Sequence, residues 1–271
     1  MNLLETNNIC FLSDNRKGDG NKQIMIRRKQ LQEDQYIFPY HHIPNLNESG
    51  EMVRYRVLDW SFKYFCYLLH IKDKIEYLRP KSILDVGCGD GRLLGILDTI
   101  ETRKRVGVDL SKRSVMFAKA FYPEVEFYNK DANEIEQEFD VVVAMEVLEH
   151  VPDEDVSCFL RTLGKRARKG GHVIISVPTL LQPLNKKHYR HYNLGLLRKE
   201  VENARQDLQI VNAEYIYRES FWLKQYRKIT SNRFWFLEIK PANRIVWKCI
   251  WKHLRFADER TGHNLVVTLK K

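Results

Sequence analysis

Hydrophobic positions along this chain follow two periods. From Val53 to Leu78 they recur at Val57, Trp60, Tyr64, Phe65 and Leu68, steps of three and four that share one helix face. At Ser82 the pattern changes. The short apolar run Ile83-Leu84-Asp85-Val86 leads into glycines at 87, 89 and 91, and then into the helix-like run Arg92-Leu93-Leu94-Gly95-Ile96-Leu97. That order predicts a strand, a tight turn and a helix start. Arg105 to Leu110 reads as the next strand, with Asp109 at its tip. Farther on, Leu194 to Leu208 reads as a helix, Ile210 to Tyr217 as a strand and Asn264 to Lys270 as the last strand.

The glycine loop carries the first chemical signal. Without Cβ atoms, its main-chain N–H groups can approach a polar ligand closely at a helix start. A dinucleotide fingerprint reads G-x-G-x-x-G, whereas Asp85 to Gly91 reads D-x-G-x-G-x-G. An acid inside the turn repels a pyrophosphate and welcomes an ammonium group. Asp109 follows 18 residues after Gly91, about the βαβ distance at which a carboxylate meets ribose hydroxyls.

Asp85 to Gly91 resembles the first motif of the class I S-adenosylmethionine-dependent methyltransferases. The resemblance extends to Val125–Ala132 as a third strand, Phe139–Val147 as a fourth opening on its F-D pair, and Gly170–Pro178 as a fifth. It covers roughly residues 80–217 and the last eight. It implies a doubly wound, Rossmann-like α/β sheet of seven strands, the last antiparallel. It also implies S-adenosylmethionine as cofactor. Asp85, Gly87, Cys88, Gly89 and Gly91 then line the methionine end, with Cys88 as a small residue rather than a nucleophile. Asp109 takes the ribose, and Leu110 lies against the adenine. Asp131 and Ala132 contact the base, while Met145 and Glu146 close the cofactor floor.

Methyl transfer to a hydroxyl needs an aligned nucleophile and a base. Glu149 and His150 directly follow the fourth strand, and His188-Tyr-Arg-His191 follows the fifth; both segments leave the carboxyl ends of adjacent strands. Two imidazoles, two carboxylates and Arg190 could converge there. The string Glu146-x-x-Glu149-His150 also resembles one seen in ubiquinone-biosynthesis O-methyltransferases. A similar string, with a later histidine, is seen at the divalent-metal site of small-RNA 3′-end methyltransferases. That likeness implies Glu146, Glu149, His150 and His188 as ligands for Mg²⁺, Mn²⁺ or Zn²⁺. The alternative is metal-free acid–base work or shaping of the pocket.

Composition adds partners and compartment. The chain has 271 residues and a formal charge of +10, which favours an anionic partner. Its five cysteines, at 10, 66, 88, 158 and 249, form no C-x-x-C pair, which argues against a disulfide framework or zinc site and for the cytoplasm. The N-terminus has no signal-peptide pattern, and no apolar run is long enough to span a membrane.

Residues 1–50 are expected to form an arm and lid, with Tyr36, Tyr40, His41 and His42 as the segment that could fold over the cofactor. Residues 51–217 with 264–271 form the catalytic domain. Residues 218–263 form an insertion between the last two strands. It holds Trp222, Trp235, Trp247 and Trp251, with eleven Lys or Arg against four acids. From Pro241 onward, cations and apolar residues alternate at helical spacing, which fits a cap over the cleft or packing in the core, a peripheral helix on an anionic membrane, or an oligomer or RNA contact. The reading that follows is O-methylation of a small-molecule, glycan or lipid-linked acceptor. RNA 2′-O-methylation with a divalent metal is the alternative, and a non-catalytic cofactor-binding protein is the third class.

Overall fold

The computed structural model describes residues 25–28, 30–31, 45–46, 52–53, 61–97, 102, 104–204, 207–232, 234–235, 237 and 239–271. The first long helix is α1 (Ser61–Leu78). Val57 and Trp60, where the periodicity begins, lie outside the described residues, and Met52–Val53 pairs antiparallel with Asn45–Leu46. There follow β1 (Ser82–Val86), α2 (Arg92–Gly95), β2 (Lys104–Val108), α3 (Lys112–Phe121), β3 (Glu126–Tyr128), β4 (Phe139–Met145), α4 (Val156–Arg166) and β5 (Ala167–Pro178). Beyond them come α5 (Leu194–Asn203), β6 (Gln209–Arg218), α6 (Phe221–Thr230), α7 (Lys240–Cys249), β7 (Phe256–Ala257) and β8 (Gly262–Lys270).

The strands form one sheet in the order β3-β2-β1-β4-β5-β8-β6-β7. The first five run parallel, and β8 lies antiparallel between β5 and β6. Eight strands replace the expected seven because the insertion returns through a two-residue edge strand, Phe256–Ala257 against Tyr215 and Ile216.

Side chains alternate between the two faces of the sheet. Leu84, Val142, Ile175 and Val267 join α4 and α5 in one core. Ile83, Val141, Ile174 and Val266 join α1 and α3 in the other. Three helices, α3, α5 and α6, start on side-chain caps: Ser111 Oγ accepts from Ser114 N, Asn193 Oδ1 from Leu196 N and Ser220 Oγ from Leu223 N.

The insertion is built into the fold on one side. Val246, Ile250 and Leu254, from α7 and the π turn that continues it, are buried in the second core beside Leu68 and Ile71. Each such burial is worth about 1.5–3 kcal/mol. The apolar face that periodicity offered to a membrane is thus core packing. Arg255 then locks the end of the insertion to α1. Its guanidinium lies 3.8 Å from the Trp251 ring centre and donates to His70 Nδ1 at 2.9 Å and Asp73 Oδ2 at 2.7 Å.

Residues 25–28 are helical, Met25 is buried, and the Arg28 guanidinium sits 4.0 Å over the Tyr189 ring. The expected lid residues Tyr36, Tyr40, His41 and His42 lie outside the described residues. Cys66, Cys88 and Cys249 are free. Cys158 is disulfide-bonded, against the expectation from cysteine spacing, which cannot see pairs that only the fold brings together. No helix among the described residues is long and apolar enough to cross a membrane.

Candidate active site

The glycine loop leaves β1 with Gly87, Gly89 and Gly91 at φ of 75°, 54° and 77°, a region side chains resist. A Cβ on Gly87 would lie 2.5 Å from Val147 Cγ2, and one on Gly91 2.5 Å from Phe127 Cζ. The turn is pinned to β2. Gly87 N and Cys88 N both donate to Val108 O, at 2.8 and 3.0 Å, and Gly89 N donates to Asp109 Oδ2 at 2.9 Å. Asp109 Oδ1 accepts from Ser111 N at 2.8 Å. The carboxylate expected to hold a ribose therefore also orders the loop beside it.

Asp85 is buried at 2% exposure, and among the described residues its Oδ1 meets no hydrogen-bond donor. Burial pushes its carboxyl up to about 8, with Asp109 and Asp90 adding to the rise. A buried, unpartnered acid beside an open backbone turn fits the ammonium group that the sequence pattern called for. Burial also pushes the Cys88 thiol well up, which suits a small packing residue.

The adenine-side residues are placed less simply. Leu110 is exposed, and Asn129 Nδ2 donates to the carbonyls of both Asp109 and Leu110 at 2.9 Å. Asp131 caps the short turn Ala132–Glu134: its Oδ1 accepts from Asn133 N at 2.8 Å, and Glu134 Oε1 accepts from Asp131 N at 2.7 Å. Ala132 is buried beneath that turn.

At the end of β4 the chain turns sharply, with Glu146 at φ 57°. Glu146 Oε1 accepts from Ser176 Oγ at 3.0 Å and Asn264 Nδ2 at 2.8 Å. Burial raises its pKa, and nearby Lys63 opposes the rise. Glu149, His150 and His188 gather instead: one ligand atom from each lies within 4.8 Å of the others. Glu149 is 1% exposed, its Oε2 meets no donor among the described residues, and burial followed by the charge of Glu146 raises its pKa strongly. Glu146 therefore stands apart from the ligand group it was expected to join.

Hydrogen bonds to carbonyls set the imidazole tautomers. His191 Nδ1 faces Gln182 O at 3.1 Å and so carries the proton, which makes its Nε2 the acceptor for His188 Nδ1–H at 2.7 Å. His150 Nδ1 likewise donates to Lys187 O at 3.2 Å. Both His150 and His188 are left with a lone pair on Nε2. Their rings meet edge-on, centroids 4.7 Å apart. Burial lowers His150 to about 4, and burial together with His150 and His191 lowers His188 to about 3, so both are neutral at pH 7.

Arg190 does not enter this group. It donates to Val151 O at 2.8 Å and Tyr192 OH at 3.0 Å and pairs with Asp153, bracing the loop after Glu149. Three contributors escaped the sequence reading. Lys63 of α1 donates to Gln182 Oε1 at 2.5 Å, Gln182 Nε2 donates to His263 O at 2.5 Å, and Asn264 holds Glu146. Lys63 sits beside Tyr64 on a helix, and helical periodicity gives a lysine there no distinguishing mark.

The methyltransferase domain family matches residues 63–219. The chain belongs to that family. The expected class, S-adenosylmethionine-dependent methyltransferase, is borne out by this match. A ubiquinone biosynthesis O-methyltransferase from Proteus mirabilis is 35% identical over 117 residues, 40% of this chain and 46% of that protein. A protein of the same description from Pseudomonas putida is 25% identical over 215 residues, 73% of this chain and 82% of its own length. The aligned part spans about half the length of the curated relatives matched at 30% identity or better. Among solved structures, the N-methyltransferase NodS from Bradyrhizobium japonicum, in complex with S-adenosyl-L-homocysteine, shares the fold. It has a TM-score of 0.57 and 14% identity, covering 90% of this chain and 98% of that one. This methyltransferase therefore carries the doubly wound sheet that its glycine loop implied.

Proposed function

We propose that this methyltransferase moves the methyl group of S-adenosylmethionine to a hydroxyl oxygen of a small or amphipathic acceptor, with a divalent cation at Glu149, His150 and His188. The observation that carries the reading is this trio of ligand atoms, within 4.8 Å of one another, at the strand end adjoining the glycine loop. One carboxylate and two neutral imidazoles are a donor set that first-row divalent metals favour. His191 orients His188 through the 2.7 Å bond, the supporting role such ligands require. The name of the relatives, O-methyltransferase, supports oxygen as the accepting atom.

The cofactor supplies an electrophilic methyl group. Asp85, Gly87, Gly89 and Gly91 hold its methionine end, Asp109 its ribose, and Leu110, Asp131 and Ala132 its base. Met145 and Glu146 form the floor, and Ser176 and Asn264 fix the Glu146 carboxyl there. A divalent cation would lower the pKa of an acceptor hydroxyl. With the cation held through the Nε2 lone pairs of His150 and His188, the displaced proton would leave to solvent; without a cation those lone pairs would accept it. Lys63, tied to Gln182, places a positive charge at the acceptor side.

The test is transfer of labelled methyl from S-adenosylmethionine to acceptors with adjacent hydroxyls, run with chelator and after Mn²⁺ is restored. Loss with chelator and recovery with Mn²⁺ is expected. Full activity in chelator overturns the metal and leaves the imidazoles as bases. An absence of turnover despite cofactor binding overturns the enzymatic reading.

A further inference from the structure

The insertion divides its apolar side chains between two fates. Val246 of α7, with Ile250 and Leu254 of the turn that continues it, closes the core, but Phe221, Trp222 and Ile229 of α6 stay in solvent, Phe221 at 78% exposure and Ile229 at 62%. Helical geometry puts these three on one side of α6, opposite the buried Leu223 and Thr230. Lys224 and Lys228 border them, both exposed. No carboxylate among the described residues pairs with either lysine.

The connector after α6 folds back and widens this face. Leu237 N donates to Thr230 O, and Trp235 Nε1 donates to Ile229 O, each at 2.7 Å. The exposed Trp235 ring is thereby held beside Ile229. Water is a poor solvent for such a face, and contiguous exposed apolar surface of this kind marks an interaction site.

Charge decides the occupant. The insertion has eleven basic residues and four acidic ones, a net of +7. A second copy docked by two-fold symmetry would set the same lysines against one another. A nucleic acid would answer the lysines but leave Ile229 and Leu237 in water. An anionic bilayer answers both: indole rings concentrate at headgroup level, and basic residues bordering an apolar face bind anionic lipid. We infer that α6 and its returning connector form a docking face for an anionic phospholipid bilayer, which presents an amphipathic acceptor to the neighbouring site.

That last step rests on the acceptor site proposed above. Two contacts link face and site. The Tyr217 ring, four residues before Phe221, meets the His263 ring at 5.6 Å, and Gln182 Nε2 holds the His263 carbonyl while its Oε1 accepts from Lys63. Leu180 and Leu181, beside Gln182, are also exposed. An acceptor could keep its apolar end in the leaflet and bring its hydroxyl to the histidines.

The test uses the full chain and sedimentation with phosphatidylcholine vesicles, with and without phosphatidylglycerol. Wild type should pellet only with the anionic vesicles, and less as salt rises. Each basic residue at such a surface is worth about fivefold in partitioning, so Lys224→Glu with Lys228→Glu should weaken it by at least about 25-fold. Phe221→Ser with Trp222→Ser should abolish it at all salt concentrations. Both variants should keep the wild-type melting midpoint and cofactor affinity, since neither pair touches the core or the glycine loop.

Wild type that stays in the supernatant with anionic vesicles overturns the inference, as do variants that pellet like wild type. So does retention of single-stranded RNA in place of vesicles. Cofactor affinity and methyl transfer to a soluble acceptor, measured without vesicles, report on the proposed function separately. Failure there leaves the docking result intact.

Discussion

Asp85 ties cofactor affinity to pH. Its carboxyl lies at about 8 in the fold, against an ordinary 3.8, so at pH 7 it is mostly protonated. The ammonium group of S-adenosylmethionine pairs with the carboxylate, and the proton must leave when the ligand binds. At pH 7 that ionisation costs about 1.4 kcal/mol, one pKa unit, and at pH 6 about 2.7 kcal/mol. Affinity should therefore rise nearly tenfold between pH 6 and 7 and level off toward pH 8. Beyond that the ligand's own amino group, ordinarily near 7.7–8.0, loses its proton and affinity turns over.

Stability responds to pH in the opposite direction. Between pH 3.8 and about 8 the folded ligand-free chain holds a proton that the unfolded chain has released, so stability falls as pH rises through that window. Calorimetry at pH 7 in two buffers of different ionisation heat counts the protons. Nearly one should be released per cofactor bound. Asp85→Asn has nothing to ionise, and should show a flat affinity from pH 6 to 7 with no proton release. A binding heat independent of buffer in the wild type, or a pH slope that survives in Asp85→Asn, refutes the reasoning.

Four further outcomes are expected. Asp109→Ala should weaken cofactor binding by roughly 1–3 kcal/mol in calorimetry, because the ribose loses a charged acceptor and Gly89 its anchor; equal affinity would remove Asp109 from the site. His150→Ala and His188→Ala should each lower turnover by about 10²–10⁴ while leaving cofactor affinity unchanged, and a parallel loss of affinity would mark them as pocket structure instead. Gly91→Ala should lower stability by about 1–2 kcal/mol or more, since φ is 77° and the new methyl meets Phe127; an unchanged denaturant midpoint would contradict this. Ile250→Ala should cost about 2–5 kcal/mol in chemical denaturation, because this insertion residue is fully buried; a surface-like cost would detach α7 from the core.

The sheet and the glycine loop were legible because local chemistry dictates them. A run such as Ile83-Leu84-Asp85-Val86, buried on both faces, has few alternatives to a central strand, and positive φ at 87, 89 and 91 demands glycine. The fate of α7 was not legible. Helical spacing of apolar residues looks the same whether the face meets a core or a lipid surface, and only the position of Ile71 and Leu68 across from Val246 and Ile250 decides it. Glu146 illustrates a second limit. Its string with Glu149 and His150 suggested shared ligation, but a left-handed turn at Glu146 sends its carboxyl to Asn264, far off in sequence. Cooperation between His188 and His191 depends likewise on the carbonyl of Gln182, which no side-chain pattern encodes.

The register of the last two long strands has an evolutionary consequence. Gly262 lies directly opposite Arg218, and Phe256–Ala257 pairs with Tyr215 and Ile216, so the excursion leaves the sheet and returns to it within a few residues of one spot. The part of the excursion that can change without cost is α6 and its connector, because Val246, Ile250 and Leu254 are committed to the core. The glycine loop leaves β1, which β4, β5 and β8 separate from β6 in the sheet order. An ancestral catalyst could thus acquire new clientele by editing one stretch of its chain while its donor machinery stayed untouched.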